Sequence, residues 1–329
     1  MTAAEILDGF PKLSALVVGD ICLDRWCRYD PALAEPSRET GIPRIAVVAT
    51  RVTPGAAGTV ANNLAALKVG RIGMLGAIGG DGFGFELLRE LEAIHVSAEY
   101  VVRSPAVPTF TYTKLINTIT DEEDQPRVDF INPLPIPPDV EHSLAQHLRE
   151  AADHYDAILV SDQAETTQGG TITAQLRGIL AELALQHPKK IVWVDSRVRS
   201  ELFRNVIVKP NREEAEAASL RALGRVDYPA LRRHMRAKLL LVTHGPLGAL
   251  LVHEQGEEWA KTQPVEKPVD ICGAGDSFSA GAACALAITG SPREAARFGN
   301  LVASITIMKK GTGTASPEEV LAADRGWPE

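Results

Sequence analysis

From His142 onward the chain repeats one pattern: a short run of aliphatic and β-branched residues, then a stretch with helical spacing. The apolar runs are Asp156–Ser161, Lys190–Asp195, Val206–Val208 and Leu239–Thr243, with helical stretches at 139–150, 170–186, 212–220 and 228–236. Strands that are apolar on both faces must be covered on both faces, which is the condition of a parallel sheet wrapped by helices. Ser14–Gly19 and Arg71–Ile78 follow the same rule nearer the N-terminus. The expected fold is therefore α/β: a doubly wound, mostly parallel sheet flanked by helices, with ligands outside the C-terminal ends of its strands.

Two segments interrupt the pattern. Residues 25–53 are rich in Arg and Pro and end in an extended run, Ile42–Val52; residues 105–131 hold a threonine-rich strand, Thr109–Thr118, an acidic turn and a short returning strand. They are expected to form a small β layer beside the main sheet, within one domain spanning 1–329.

The most pointed chemistry lies at Asp270–Phe278. Gly273, Ala274 and Gly275 lead straight into a long apolar helical pattern. The unpaired N–H groups of a helix start attract anions, and small residues let a phosphate come close. A carboxylate there, Asp276, is unfavourable unless it works, and taking a proton from a hydroxyl that attacks phosphorus is such work. The helix dipole is expected to keep Asp276 ionised, and hence a weak base.

Other loops fall where ligands bind. Asp20 and Asp24 follow the first strand, although Asp20 also suits an ordinary turn. Pro54–Gly58 is a second small-residue helix start, with Asn62 and Asn63 in its first turns. Asn211 and Glu214 have the spacing of a capping box, and Thr243–Gly248 is a tight turn after a strand. A Rossmann fingerprint and a Walker A loop are both unsupported, since G-x-G-x-x-G and Gly-Lys are missing.

The formal charge of −8 argues against nucleic-acid partners. The four cysteines lack C-x-x-C spacing, which fits a reduced, cytoplasmic chain without structural zinc. No membrane partner is expected: the start MTAAEILDGF lacks a basic leader region, and the apolar run 271–290 is interrupted by polar residues.

Six stretches in order, GDICLD, PGAAGTVANNLA, IGGDGFG, KPNREEAE, VTHGPLG and DICGAGDSFSAG, closely resemble the PfkB/ribokinase family of carbohydrate kinases over residues 14–320. The resemblance implies an ATP- and Mg²⁺-dependent kinase with a large α/β domain and a β lid. Asp276 would be the catalytic base, with Gly273, Ala274 and Gly275 as the anion hole. Asp20, Asp24, Gly55 and Asn63 would meet the sugar. Asn211, Glu214, Thr243, Gly245, Gly248 and Asn300 would meet ATP, with Glu214 organising Mg²⁺ through water. Asp270 would anchor a monovalent cation, K⁺.

The nearest subfamily resembled is the heptose-7-phosphate kinase part of the bifunctional heptose enzyme, through GDICLDRW, PTFTYTKL with Lys114, Arg127–Phe130 and KKGTGTASP. That implies transfer to C1 of a heptose 7-phosphate, with Lys114 and Arg127 on the sugar phosphate; ribose, fructose, a fructose phosphate or a nucleoside are the alternative acceptors. A non-catalytic sugar or nucleotide sensor is the alternative from another class, opposed by the intact Asp276 and its glycine hole. Departures from the family pattern are Thr59 for the usual Asn, Ile271 for the usual Thr, and the stretches 36–44 and 161–170. An exposed lid invites edge or face pairing, so a homodimer through the lid is expected.

Overall fold

The computed structural model describes residues 1–164 and 169–325. In chain order the first half holds α1 (Ala3–Leu7), β1 (Ser14–Gly19), β2 (Ile21–Tyr29), β3 (Val47–Ala56), α2 (Ala57–Ala66), β4 (Arg71–Gly79), α3 (Gly82–Ala93), β5 (Val96–Ser104), β6 (Phe110–Asn117), β7 (Val128–Phe130) and α4 (Pro138–Ala152). The second half holds β8 (Ala157–Asp162), α5 (Ala174–Gln186), β9 (Ile191–Ser196), β10 (Ile207–Val208), α6 (Arg212–Leu223), α7 (Tyr228–Met235), β11 (Leu239–Thr243), β12 (Ala249–His253), β13 (Gly256–Ala260), α8 (Ala274–Thr289), α9 (Pro292–Thr306) and α10 (Pro317–Asp324).

Nine strands form the main sheet in the order β13-β12-β11-β10-β9-β8-β1-β4-β5. All neighbours pair in parallel except the hairpin of β11, β12 and β13, which closes one edge antiparallel. That hairpin leaves little trace in the sequence, because its outer strand, Gly256–Ala260, is mostly exposed and lacks an apolar run. A large apolar cluster covers each face: α2, α8 and α9 pack on one, α4, α5 and α7 on the other. This is the doubly wound architecture that the repeated apolar runs require.

The lid is a separate sheet of order β3-β2-β6-β7. It begins earlier than the composition suggests. β2 starts at Ile21, one residue after β1 ends, and the second lid strand is Val47–Ala56, not Ile42–Val52. Only Cys27, Tyr29 and Leu115 form a buried cluster of its own.

The junction of lid and body is tight at one point. Ala56 caps α2 with φ 52°, a left-handed conformation uncommon for a residue with a Cβ, and the N–H of Ala57 donates to the Asp20 carbonyl at 2.9 Å. Strain of this kind persists only where the surroundings hold it, and it gathers at working sites.

Candidate active site

Two cavities open along the C-terminal ends of the parallel strands. One, about 210 Å³, lies under the lid and is lined by Asp24, Trp26 and Tyr112, by the cations Arg25, Lys114 and Arg127, and by Cys272 and Thr59. The other, about 800 Å³, lies over the body and is lined by Lys209, Asn211, Glu214, Thr243, Gly245, Asn300 and the segment around Thr262–Ile271. They share Gln163, Arg197, Gly273 and Asp276. Asp276 thus stands where an acceptor and a donor would meet.

α8 presents this residue. Gly273 caps the helix with φ 77°, which glycine adopts without penalty, and no side chain caps the helix start. Ala274 N–H donates to the Ile271 carbonyl at 3.2 Å and Ser277 N–H to the Gly273 carbonyl at 2.9 Å, which leaves the N–H groups of Gly275 and Asp276 for an anion. Gly273, Ala274 and Gly275 all line the larger cavity.

The electrostatics overturn one expectation. Asp276 is not held ionised by the helix start: burial, and then the neighbouring charge of Asp195, raise its carboxyl to about 7, against the pull of Lys209 and Arg197. Loss of water is the largest of these causes. A carboxylate balanced near neutrality is a better proton acceptor than an unperturbed one.

Beneath it lies a buried pair that sequence reading missed. Lys209 Nζ sits 2.5 Å from Asp195 Oδ2 and 3.5 Å from the Gly275 carbonyl, while Ser279 Oγ donates to the same Asp195 oxygen at 3.4 Å. Asp195 keeps Lys209 protonated despite burial. Lys209 directly precedes the Pro-Asn-Arg-Glu-Glu stretch, and Asp195 and Arg197 flank the end of β9. Charged residues closing an apolar strand at its C-terminal end were the available signal.

On the body side, Asn211 and Glu214 make the reciprocal capping box of α6: Glu214 N–H donates to Asn211 Oδ1 at 2.9 Å, and Asn211 N–H to Glu214 Oε2 at 2.8 Å. Burial and then Asp195 push the Glu214 carboxyl up. An acid raised by a neighbouring carboxylate beside a cavity is a donor that a hard cation would relieve. No group of three or more acid, His or Cys side chains able to hold a metal occurs among the described residues. Glu214 lines the larger cavity, where a lone carboxylate would meet Mg²⁺ through the ion's own waters.

Thr243 and Gly245 line the larger cavity, and so does Asn300, whose amide donates to the Ala260 carbonyl at 3.1 Å. Gly248 does not: at φ 94° it turns β11 into β12, and a side chain there would overlap the Ala260 carbonyl. Asp270 does not fit a cation anchor. Its Oδ1 accepts from Cys272 N–H at 2.9 Å and its Oδ2 from Gly311 N–H at 3.0 Å, and the side chain of the adjacent Ile271 brings no oxygen and is 71% exposed. Asp270 staples two loops.

On the lid side, Asp24 reaches the smaller cavity, where burial raises its carboxyl to about 6 against the Cys22 thiol, Lys114 and Arg127. Cys22 Sγ donates to its Oδ1 at 3.5 Å. Gly55 is elsewhere: it pairs with Cys22 across β2 and β3, and a side chain there would overlap the Asp24 carboxylate. Its part is to make room for Asp24. Lys114 faces Glu123 at 3.6 Å, and Arg127 pairs with Asp129 at 2.7 Å while lying 4.9 Å from the Tyr112 ring centre.

Two further acceptor candidates are corrected. Asn63 is fully buried in α2, its amide donating to the Thr59 carbonyl at 2.9 Å, so it does not replace the missing Asn at 59. Thr59 itself lines the cavity. Asp20 is 3% exposed and accepts from the N–H of Gln163 at 2.8 Å and of Thr171 at 2.6 Å. It pins both sides of the 163–171 loop and, outside the shared centre, borders a small cavity of about 20 Å³ with Cys22, Tyr112 and Gln163. Residues 165–168 of the divergent stretch 161–170 lie outside the described residues.

Residues 179–319 match the family described as pfkB family carbohydrate kinase. The chain is 31% identical over 323 residues to the bifunctional protein HldE of Geobacter metallireducens, covering 94% of this chain and 63% of that protein. It is 30% identical over 343 residues to the bifunctional protein HldE of Caulobacter sp. strain K31, covering 99% and 65%. The chain thus spans somewhat less than two-thirds of these relatives. Among solved structures, Escherichia coli phosphofructokinase-2 in complex with potassium superposes with a TM-score of 0.71 at 20% identity, covering 95% of this chain and 99% of that one. Thermotoga maritima ribokinase gives 0.70 at 21% identity, covering 95% and 99%. These superpositions establish the ribokinase-like fold.

Proposed function

We propose that this chain, residues 179–319 of which match the pfkB family of carbohydrate kinases, is a member of that family and transfers the γ-phosphate of ATP to a hydroxyl of a sugar phosphate held under the lid. The observation that carries the reading is the meeting of two cavities at Asp276. The larger takes the nucleotide and the smaller the sugar. Arg197 and the N–H groups at the start of α8 face the transferring group from the shared centre. Mg²⁺, when bound with ATP beside Glu214, would neutralise charge on the phosphates.

Asp276 takes the proton of the attacking hydroxyl, and its raised affinity for that proton suits the task. Asp24, also raised, stays ready to accept hydrogen bonds from sugar hydroxyls at neutral pH. Lys209 acts from below: paired with Asp195, it holds the Gly275 carbonyl and offsets the acids around the site. The lid excludes water from the reacting centre.

For the acceptor, a heptose 7-phosphate phosphorylated at C1 is the finer reading, supported by Lys114 and Arg127 in the smaller cavity and by the HldE relatives. Arg44, another cation of the lid segment, is not among the residues that line that cavity and pairs with Glu35 at 3.3 Å. The exposed Val47, Val48, Phe130 and Ile131 of the lid support pairing of two lids in a homodimer. Among the described residues no helix is long and apolar enough to cross a membrane.

ATP consumption against heptose 7-phosphate, fructose phosphates, ribose, fructose and nucleosides tests the reading. Turnover is expected to require an added sugar and to be fastest with a phosphorylated one. Lys114→Ala should raise KM for that acceptor by roughly tenfold, the scale of a charged hydrogen bond, and leave KM for ATP unchanged. ATP binding with no turnover for any acceptor would instead favour a sensor.

A further inference from the structure

The smaller cavity does not end at Trp26. Beyond that indole, lid and body enclose another cavity of about 410 Å³, lined by Arg28, Arg51, Thr53, Asn62, Asp121 and Lys310. Trp26, Gly311 and Thr312 belong to both and form the partition. Strand register explains the layout. Trp26 stands opposite Arg51 on β3 and opposite Lys114 on β6, so the indole has a cation on either side, one in each cavity. The Arg51 guanidinium lies 5.7 Å from the ring centre.

Three cations here face one carboxylate, in a chain whose formal charge is −8. Asp121 is held by two of them: Arg28 Nη1 donates to its Oδ1 at 2.7 Å and Lys310 Nζ to its Oδ2 at 2.7 Å. Two cations converging on one anionic group from lid and body is the geometry that holds phosphate oxygens. Arg51 has no carboxylate partner among the described residues. Thr53 Oγ1, on the same wall, is buried without a hydrogen-bond partner, and a buried hydroxyl left so calls for a missing acceptor.

We propose that this cavity is a second phosphate-binding site, built from Arg51, Arg28, Lys310 and Thr53, in which Asp121 now occupies the place of the anion. It rests on the reading of the adjoining cavity as the acceptor site only for which phosphate it takes. That phosphate belongs either to the far end of an acceptor that passes Trp26 or to a separate small phosphorylated molecule.

Titration calorimetry with inorganic pyrophosphate, on the full chain with its nucleotide site filled by a non-hydrolysable ATP analogue, tests the site directly. The wild type is expected to bind, Arg51→Ala to bind at least roughly tenfold more weakly, and Asp121→Asn to bind more tightly because a competing carboxylate is gone. Opposite signs for these two variants are the signature, since a merely structural ion-pair cluster would weaken with either. No binding, equal binding by wild type and Arg51→Ala, or weaker binding by Asp121→Asn overturns the proposal.

Kinetics then tell the sources apart. A KM raised by Arg51→Ala for a phosphorylated sugar but not for its unphosphorylated counterpart assigns the site to the acceptor. An unchanged KM, with pyrophosphate altering wild-type turnover but not that of Arg51→Ala, assigns it to a separate ligand. If no sugar supports ATP turnover, the acceptor reading fails while the calorimetry still decides this one.

Discussion

The two halves of the site are made differently. The body half rests on an ion pair buried under α8, Lys209 with Asp195, whose side chains are 3% and 11% exposed. The lid half rests on pairs such as Lys114–Glu123, 33% and 36% exposed, and on three buried apolar residues. Buried charges are expensive to leave unpaired, so the body fixes its geometry and tolerates little change. Half-exposed pairs are worth little and rearrange readily. The body half is therefore rigid by construction, and the lid half is free to be retuned.

The largest effect should come from the centre both halves share. Asp276→Asn is expected to fold and bind ATP but lose roughly 10²–10⁴-fold in kcat. Turnover within tenfold of wild type would show that the junction is not the reacting centre.

Next comes the contrast itself, read by urea unfolding. Lys209→Met strands a buried carboxylate and should cost about 3–5 kcal/mol, whereas Glu123→Gln in the lid should cost about 1 kcal/mol or less. Equal costs would erase the distinction between the halves.

The smallest effect is a pH dependence of the ligand-free protein. Asp20 and Asp24 are raised to about 6 and Asp276 to about 7, above the ordinary carboxylate value near 4 in the unfolded chain. Between these limits the folded chain binds more protons, so stability falls as pH rises from about 4 to about 7. Tm should drop by a few °C, on the scale set for a chain of this size, between pH 5 and pH 7.5, and Asp276→Asn should drop less. A Tm that climbs across that interval would contradict the burial of these acids.

The body was the more legible half in the sequence, for a physical reason. Buried parallel strands must be apolar throughout, and helix starts that face phosphate must be small, so Leu239–Thr243 and Gly273–Asp276 declare themselves locally. The Lys209–Asp195 pair does not, because its partners come from different strands and meet only across the sheet. The lid spreads its information across strands: Trp26 matters through Arg51 and Lys114 beside it, and Gly55 through the space it leaves Asp24. Asn63 and Asp20 misled for a related reason. A polar residue beside a motif can satisfy the backbone, and only the fold shows that Asn63 turns back to Thr59 and Asp20 to Gln163 and Thr171. The protonation of Asp276 was misjudged because the helix start is visible in sequence and the depth of burial is not.

The most direct test is the pH profile of kcat/KM with the preferred sugar, which reports groups of the free enzyme. A single rising limb with its midpoint near 7, where burial and Asp195 place the Asp276 carboxyl, is the expected result. A rate that stays level from pH 8 down to pH 5 would contradict Asp276 as the base at the meeting of the two cavities.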